Sequence, residues 1–286
     1  MFKRCPCGIF KKVKKLLNLY GLKWNPFDPS LPIEGLITSP QIENFCWRVE
    51  NLVMDGGYAM ITGHPGTGKS VALRILSARL SKMQEVKVGI LTRPQSGLAD
   101  FYRELGEIFG LELKSSNRWG GYKTLRQGWL DHIRSTLLRP VLLIDESQEM
   151  LPIVLNELRM MMSDKFDSEM ILTLVLCGDN RLPEKFRDPV LIPLGSRIRV
   201  RLSQESASKE QLEKTLTESM SRAGNTNLMS KELINMLVDH AAGNYRVMMI
   251  MADNLLSEGM SQDVDQLDEK LFFELFSNSS KSKQKK

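Results

Sequence analysis

The segment GHPGTGKS at residues 63–70 is the feature that most limits how this chain can fold. A short apolar run, YAMITG, leads into it, and SVALRILSARLS follows with apolar residues at helical spacing. The pattern G-x-x-x-x-G-K-[ST] between a strand and a helix is typical of a loop whose backbone N–H groups surround phosphates. We therefore expect a buried strand to end at this loop and a helix to begin there.

The residues of this loop predict ATP binding with Mg²⁺ as the cofactor. Lys69 is expected to neutralise the β- and γ-phosphate oxygens, and the Ser70 hydroxyl to ligate Mg²⁺. His64 occupies a variable position of the motif, so we assign it no catalytic role. The residues expected to contact the nucleotide here are Gly63, His64, Pro65, Gly66, Thr67, Gly68, Lys69, Ser70 and Val71.

An acidic pair follows a second apolar run, PVLLIDE at 140–146. We expect Asp145 to hold Mg²⁺ through water, and Glu146 to orient and deprotonate the water that attacks the phosphate. A solvated turn is the alternative for such a pair. Together with the phosphate loop, the pair predicts an ATPase.

The run LTLVLCGDN at 172–180 ends in Asp179 and Asn180, beside the expected position of the γ-phosphate. Either residue can position the attacking water, or simply cap the following turn. We place Asn180 in the candidate catalytic set, although the pattern leaves the choice open.

Arginines alternate in LGSRIRVRLS, where Arg197, Arg199 and Arg201 would share one face of a strand. The alternatives are a solvated edge strand or, for Arg197, an arginine finger that completes a neighbouring subunit's site. Arg246 begins the last long helix and is expected to contact the phosphates, or to lie on the helix surface.

Apolar strands alternate with helices up to residue 203, which predicts an α/β fold with a parallel sheet covered on both faces. Beyond residue 203 the chain is helical and more polar, which indicates a second, smaller domain. The expected divisions are a basic helix and proline-rich linker at 1–38, the nucleotide-binding domain at 39–203, a helical lid at 204–270, and a helix end with a basic tail at 271–286.

The first fifteen residues contain five lysines and one arginine but no acid. Apolar residues interleave with them at helical spacing, which predicts a basic amphipathic helix for nucleic acid, a membrane surface or a partner groove. The net charge of +5 permits an anionic partner without requiring one. The helix's expected apolar residues are Phe10, Val13, Leu16, Leu17 and Tyr20.

Four cysteines do not make a disulfide framework in a chain of 286 residues, and the CPC sequence at 5–7 lacks a second ligand pair for zinc. No apolar run approaches the length of a membrane span, and the lysine-rich start lacks a signal-peptide core. These features predict a cytoplasmic protein without a membrane partner.

Several stretches resemble AAA+ ATPases, in the branch that contains ExeA-type ATPases, TnsC-type transposition regulators and phage Mu B protein. The resemblance covers about Leu19 to Leu256 and depends on LYGLKWNPFDP, GGYAMITGHPGTGKS, VLLIDESQEM, LVLCGDNRL, RIRVRL and GNYRVMMIMADNLL. It implies an AAA+ parallel-sheet core with a C-terminal helical lid. Two departures are Ser147, where alanine is common in this branch, and the GDN sequence at the sensor position.

The resemblance further implies a homo-oligomer, a hexameric ring or helical filament, that coats double-stranded DNA with ATP bound. Such an oligomer recruits a transposase, works with target-selection proteins and disassembles on hydrolysis. Secretion-type members carry a membrane span and an extension after the ATPase, which are not seen in this sequence, so transposition is the favoured expectation. A cytoplasmic ATPase for envelope or secretion assembly is the alternative, and a replication loader a third.

The segment KSSNRWGGYKTLRQ at 114–127 is the candidate DNA-binding region. Phosphate contacts suffice for target binding without base readout. We expect Lys123 and Thr124 at a helix start, where the backbone dipole favours a phosphate, after a flexible Gly-Gly pair. An ordinary surface loop is the alternative. The expected DNA-binding residues are Lys114, Arg118, Lys123, Thr124 and Arg126.

Overall fold

The structure is a computed structural model that describes residues 7–111, 118–165 and 168–281. The chain divides into two compact units, one formed by Thr38–Glu205 and the other by Met1–Ile37 together with Ser206–Lys286. The helices are α1 Cys7–Tyr20, α2 Pro40–Asp55, α3 Lys69–Leu80, α4 Leu98–Phe109, α5 Arg118–Asp131, α6 Pro152–Met162, α7 Arg181–Lys185, α8 Ile192–Gly195, α9 Lys209–Ala223, α10 Lys231–Ala241, α11 Tyr245–Ser261 and α12 Glu269–Lys281.

A five-stranded parallel sheet forms the centre of the Thr38–Glu205 unit, and this confirms the predicted α/β fold. The strands are β1 Gly57–Gly63, β2 Val86–Leu91, β3 Arg139–Ile144, β4 Ser163–Asp164, β5 Glu169–Met170, β6 Thr173–Gly178 and β7 Ile198–Gln204. The sheet order is β2-β3-β6-β1-β7, while β4 and β5 form a separate antiparallel pair. The carboxyl ends of β3, β6 and β1 therefore meet at one edge of the sheet.

Local sequence signals account for the ends of α2. The Ser39 hydroxyl accepts a hydrogen bond from the Ile42 backbone N–H, so it caps the start of the helix, as serine commonly does. Gly56 follows the last helical residue with a φ of 73°, and an added Cβ there would lie 2.7 Å from Cβ of Met170. Glycine lets the chain turn sharply from α2 into β1.

Two elements differ from the prediction. The apolar run MILTLVLCGD at 170–179 predicts one strand, but it is divided because Glu169 and Met170 pair with β4 before β6 begins. The segment GYKTLRQGWLDHIRSTL at 121–137 predicts a helix, but the helix begins earlier, at Arg118, and ends in a π-helical turn at His132–Thr136. Gly120 and Gly121 lie inside this helix, where an added Cβ on Gly121 would meet the Tyr102 ring at 3.3 Å. Close packing of α5 on α4 thus makes these glycines helical, and not a flexible linker.

The unit that contains both chain ends has its own apolar core. Leu16 and Tyr20 of α1 are buried in the same cluster as Leu255 and Leu256 of α11. The Lys15 ammonium lies 2.7 Å from the Asp263 carboxylate at the end of this contact. The described apolar side chains Leu16 and Tyr20 of α1 are therefore covered by helices of this same unit. The sequence had placed α1 in a separate N-terminal segment; the side chains of Phe10 and Val13 lie outside the described residues.

Candidate active site

The phosphate loop connects β1 to α3, and its first glycine lies against the neighbouring strand. Gly63 pairs with Gln204 of β7 and has a φ of 156°. An added Cβ at Gly63 would lie only 2.2 Å from the Gln204 carbonyl oxygen. Gly68 caps α3 with a φ of 96°, in the left-handed region that favours glycine. These two glycines set the direction of the loop and expose its backbone at the helix start.

The loop also holds its lysine in place. Lys69 is only 8% exposed, and its ammonium donates a hydrogen bond of 2.9 Å to the His64 carbonyl. The Thr67 hydroxyl donates to the same carbonyl at 2.8 Å. A neutral carbonyl does not compensate a buried positive charge, so the site favours an anion beside Lys69. The residues present therefore fit the phosphates of a nucleotide.

Two oxygen ligands suited to Mg²⁺ lie together at the carboxyl edge of the sheet. The Ser70 hydroxyl donates to Oδ2 of Asp145 at 3.1 Å, and Oδ1 of Asp145 accepts from the Glu146 backbone N–H at 2.9 Å. Magnesium in such sites takes one or two protein oxygens and completes its shell with phosphate and water. In the described part of the chain, no group of three His, Cys, Asp or Glu residues could hold a metal alone.

A buried thiol, that of Cys177, lies beside Asp145 as a second hydrogen-bond donor. Cys177 of β6 is fully buried, and burial first, then the neighbouring Asp145 carboxylate, raise the pKa of its thiol. The thiol therefore stays protonated and can donate to Asp145. Its place inside an apolar strand gave no signal beyond the pattern of a core residue.

Glu146 directly follows Asp145 and has a strained backbone. Its φ is 50°, a left-handed conformation that costs a non-glycine residue about 1 kcal/mol or more. The carboxylate oxygen Oε2 accepts a hydrogen bond of 2.5 Å from Nε2 of Gln148. The next residue, Ser147, is buried and donates its hydroxyl to the Ile144 carbonyl at 2.9 Å. A serine is therefore accommodated at this position.

The two sensor candidates face different partners. Nδ2 of Asn180 lies 3.1 Å from Nε2 of His64 in the phosphate loop. Asp179 instead accepts hydrogen bonds from Arg181, and the guanidinium holds the pKa of this carboxyl below its usual value. Of the two side chains, the structure brings Asn180 to the phosphate loop. Its role as the sensor stays a prediction.

The arginines predicted on one strand face do not all lie in the strand. Arg199 and Arg201 are exposed on the same face of β7, whereas Arg197 precedes Ile198, the first residue of the strand. The Arg197 guanidinium is half-buried and donates to the Pro193 carbonyl. Arg246 is exposed near the start of α11, in the unit that contains the chain ends, and its role at the phosphates stays a prediction.

The structure corrects part of the predicted DNA-binding set. Lys123 and Thr124 are exposed but lie inside α5, so the helix-start argument for a phosphate does not apply to them. Arg126 is half-buried, and its guanidinium lies 2.5 Å from the Asp164 carboxylate and donates to the Met161 carbonyl. Its ion pair joins α5 to β4, and its bond to the Met161 carbonyl joins α5 to the end of α6, which are structural roles. Lys114 and the Arg118 side chain lie outside the described residues.

Within the described residues, no helix has both the length and the apolar content that a membrane crossing requires.

Comparison with known proteins agrees with this geometry. Residues 53–186 match the family model described as an AAA domain. General secretion pathway protein A of Aeromonas hydrophila is 29% identical over 188 residues, which are 64% of this chain and 34% of that protein. The chain thus spans about a third of the length of this curated relative.

Solved structures with the same fold include two proteins of Aeropyrum pernix. The ORC2 protein, in ADPNP–ADP complexes, has a TM-score of 0.69 at 14% identity, and the match covers 89% of this chain and 71% of that one. The ORC1 protein, in complex with DNA, has a TM-score of 0.65 at 17% identity, with coverage of 88% and 68%. The chain has the fold of the P-loop AAA+ ATPases, and the match of residues 53–186 to an AAA domain supports the ATPase activity that its sequence predicts.

Proposed function

We propose that this AAA+ ATPase assembles with ATP on double-stranded DNA and regulates DNA transposition by recruiting or activating a transposase at the target. Hydrolysis then disassembles the complex. The observation that carries the nucleotide part is the convergence of Lys69, Asp145 and Glu146 at the carboxyl ends of β1 and β3.

The described residues divide the hydrolysis reaction among them. Lys69 and the loop N–H groups would bind the phosphates, while Ser70 and Asp145 would hold Mg²⁺, which would neutralise phosphate charge when bound. Glu146 orients the attacking water and accepts its proton, and Asn180 positions the same water.

Arg197 is suited to act on a second copy of the chain. It precedes β7, whereas the phosphate loop follows β1, and the two strands run parallel. A strand of seven residues spans roughly 20 Å. Arg197 therefore lies at the amino ends of the strands, whereas its own phosphate loop lies at their carboxyl ends. We therefore assign it as an arginine finger between neighbouring subunits of a homo-oligomer, a ring or a filament.

Lys123 and Thr124 support a DNA-binding surface on α5. Both are exposed on the same helix, and a lysine that contacts phosphates adds affinity without reading sequence. The ORC1 protein that shares this fold was solved in complex with DNA, which makes duplex DNA a reasonable partner for this chain.

The assignment to transposition rests on the resemblance of the sequence motifs to TnsC-type regulators and phage Mu B protein. The partners it implies are a transposase and target-selection proteins. The identity to general secretion pathway protein A favours a second candidate, an ATPase for secretion assembly. In that case the exposed surfaces would bind envelope proteins instead of DNA.

ATP turnover with and without duplex DNA tests the proposal, combined with electron microscopy of the mixture with an ATP analogue. We expect DNA to stimulate turnover severalfold, and rings or filaments to form on DNA. If DNA left ATP turnover unchanged and no rings or filaments formed on it, the secretion function would be favoured over transposition.

Lys123→Ala is expected to weaken DNA binding about three- to tenfold. The negative slope of log affinity against log salt should become less steep by about 0.9, because one phosphate contact is lost. ATP affinity should be unchanged, because Lys123 is not part of the phosphate loop. Fluorescence anisotropy of labelled duplex DNA at several salt concentrations measures both quantities. Lys82→Ala, which removes an exposed lysine just after α3, is the matched control. Equal losses in the two variants would contradict a specific role for Lys123.

A further inference from the structure

We propose that Gln148 is a positioning residue that holds the carboxylate of Glu146 for catalysis and couples it to the end of β6. The inference rests on the proposed role of Glu146 in activating water. It assigns a second, neutral side chain to the hydrolysis reaction, two residues beyond the acidic pair.

Both ends of the Gln148 side-chain amide are engaged. Nε2 donates to Oε2 of Glu146 at 2.5 Å, and Oε1 accepts from the backbone N–H of Asp179 at 3.1 Å. The residue is only 7% exposed, so these bonds are largely shielded from competing water. One buried amide therefore bridges the turn after β3 and the turn after β6.

The surroundings of Gln148 keep this amide in one orientation. An added Cβ on Gly178 would lie 2.5 Å from Oε1 of Gln148, so the side chain packs directly on the β6 backbone. The Lys185 ammonium donates to the Gln148 backbone carbonyl at 2.6 Å and also to the Met150 carbonyl. With its backbone and its amide both fixed, Gln148 is a rigid support for a neighbouring group.

Glu146 needs such a support because its own position is weakly constrained. The residue is exposed, so its carboxylate can rotate into solvent. A bond from Gln148 to Oε2 fixes the plane of the carboxylate while Oε1 keeps its lone pairs for a water molecule. Because the amide is neutral, it orients the base without placing a permanent positive charge beside it.

The same amide connects Glu146 to the phosphate loop through β6. Asp179, whose N–H binds Gln148, is followed by Asn180, which lies against His64 of the loop. A displacement of the loop or of Asn180 therefore reaches Glu146 through a short series of hydrogen bonds. This arrangement links the orientation of the base to the position of the proposed sensor.

Gln148→Glu removes the donated hydrogen bond but adds a negative charge beside Glu146, so it is compared with Gln148→Ala, which removes the bond without adding charge. Glutamate keeps the length and an acceptor oxygen for the Asp179 N–H, but an ionised carboxylate cannot donate to Glu146. We expect kcat to fall roughly 10- to 100-fold, the range for one lost bond to a charged group, with KM and ATP affinity within about threefold of wild type. Gln148→Ala should show a similar loss of kcat. Steady-state turnover and binding of a fluorescent ATP analogue measure these quantities without DNA.

A wild-type kcat in Gln148→Ala would overturn the proposal, since neither hydrogen bond of the amide would then matter for turnover. A parallel loss of ATP affinity and kcat would also overturn it, because the residue would then support the site as a whole. Thermal unfolding of each variant shows whether it is folded.

The double variant Glu146→Gln/Gln148→Ala separates this inference from the role of Glu146. If Gln148 acts through Glu146, its removal should add less than about twofold to the single-turnover loss already caused by Glu146→Gln. A full additional loss would contradict coupling between the two residues. Substantial turnover in Glu146→Gln alone would instead refute Glu146 as the base, and it would do so whatever Gln148→Glu shows.

Discussion

Replacing Glu146 by glutamine is expected to reduce kcat for ATP hydrolysis by about a hundredfold or more and to leave ATP binding nearly unchanged. The amide keeps the size of the side chain but cannot accept a proton from water, and general base catalysis contributes about 10²- to 10⁴-fold. Lys69, Ser70 and Asp145, which hold the nucleotide and Mg²⁺, are untouched. Phosphate release measures the first quantity, and titration with a fluorescent ATP analogue measures the second.

Glu149→Gln is the matched control for this experiment. Glu149 belongs to the same turn, but its carboxylate pairs with Arg181 at 2.7 Å and has no contact to the phosphate loop among the described bonds. Its kcat should stay within about threefold of wild type. If the two variants lost activity equally, the effect would come from the charge of the turn and not from a base at Glu146.

Gly63→Ala is expected to lower the free energy of unfolding by about 3 kcal/mol or more, the range for a steric clash in a closely packed strand. The new methyl group would meet a backbone oxygen of β7 at 2.2 Å, and backbone cannot rotate away as the end of a side chain can. Separation of β1 from β7 is the only relief. Urea denaturation of the full chain without nucleotide, followed by circular dichroism, measures the change.

Gly68→Ala separates this clash from backbone strain. Gly68 also has a positive φ, but its added Cβ would have no neighbour within 4 Å. The expected loss is therefore only the conformational penalty of about 1–2 kcal/mol. Equal destabilisation by the two substitutions would show that the close approach of β7 does not limit residue 63.

The parts of this site that follow a fixed local pattern were predictable from the sequence. The phosphate loop must connect a strand to a helix, and apolar runs that end in acids or amides must end at the same edge of a parallel sheet. Lys69, Ser70, Asp145 and Asn180 accordingly lie where the sequence placed them, around the end of β1. Their roles in catalysis stay predictions.

Features that depend on long-range packing were not predictable. Gln148 looks like one more polar residue in a turn, and only the packing of β6 against that turn buries it. The sequence groups Arg126 with the candidate DNA-binding residues, because nothing near it in sequence reveals Asp164 as its partner. The two glycines before Tyr122 suggest a flexible linker in the sequence, whereas the Tyr102 ring of α4 packs against Gly121 in the structure.

The burial of α1 against α11 has a consequence for the order in which the chain folds during synthesis. All residues of the Thr38–Glu205 unit are synthesised before α11, so this unit can complete its sheet first. Leu16 and Tyr20 can be buried against Leu255 and Leu256 only after some 240 more residues have been synthesised. At about 5–20 residues per second this delay is on the order of ten seconds or more. Throughout it, the apolar side of the nascent α1 is open to any chaperone that binds such surfaces.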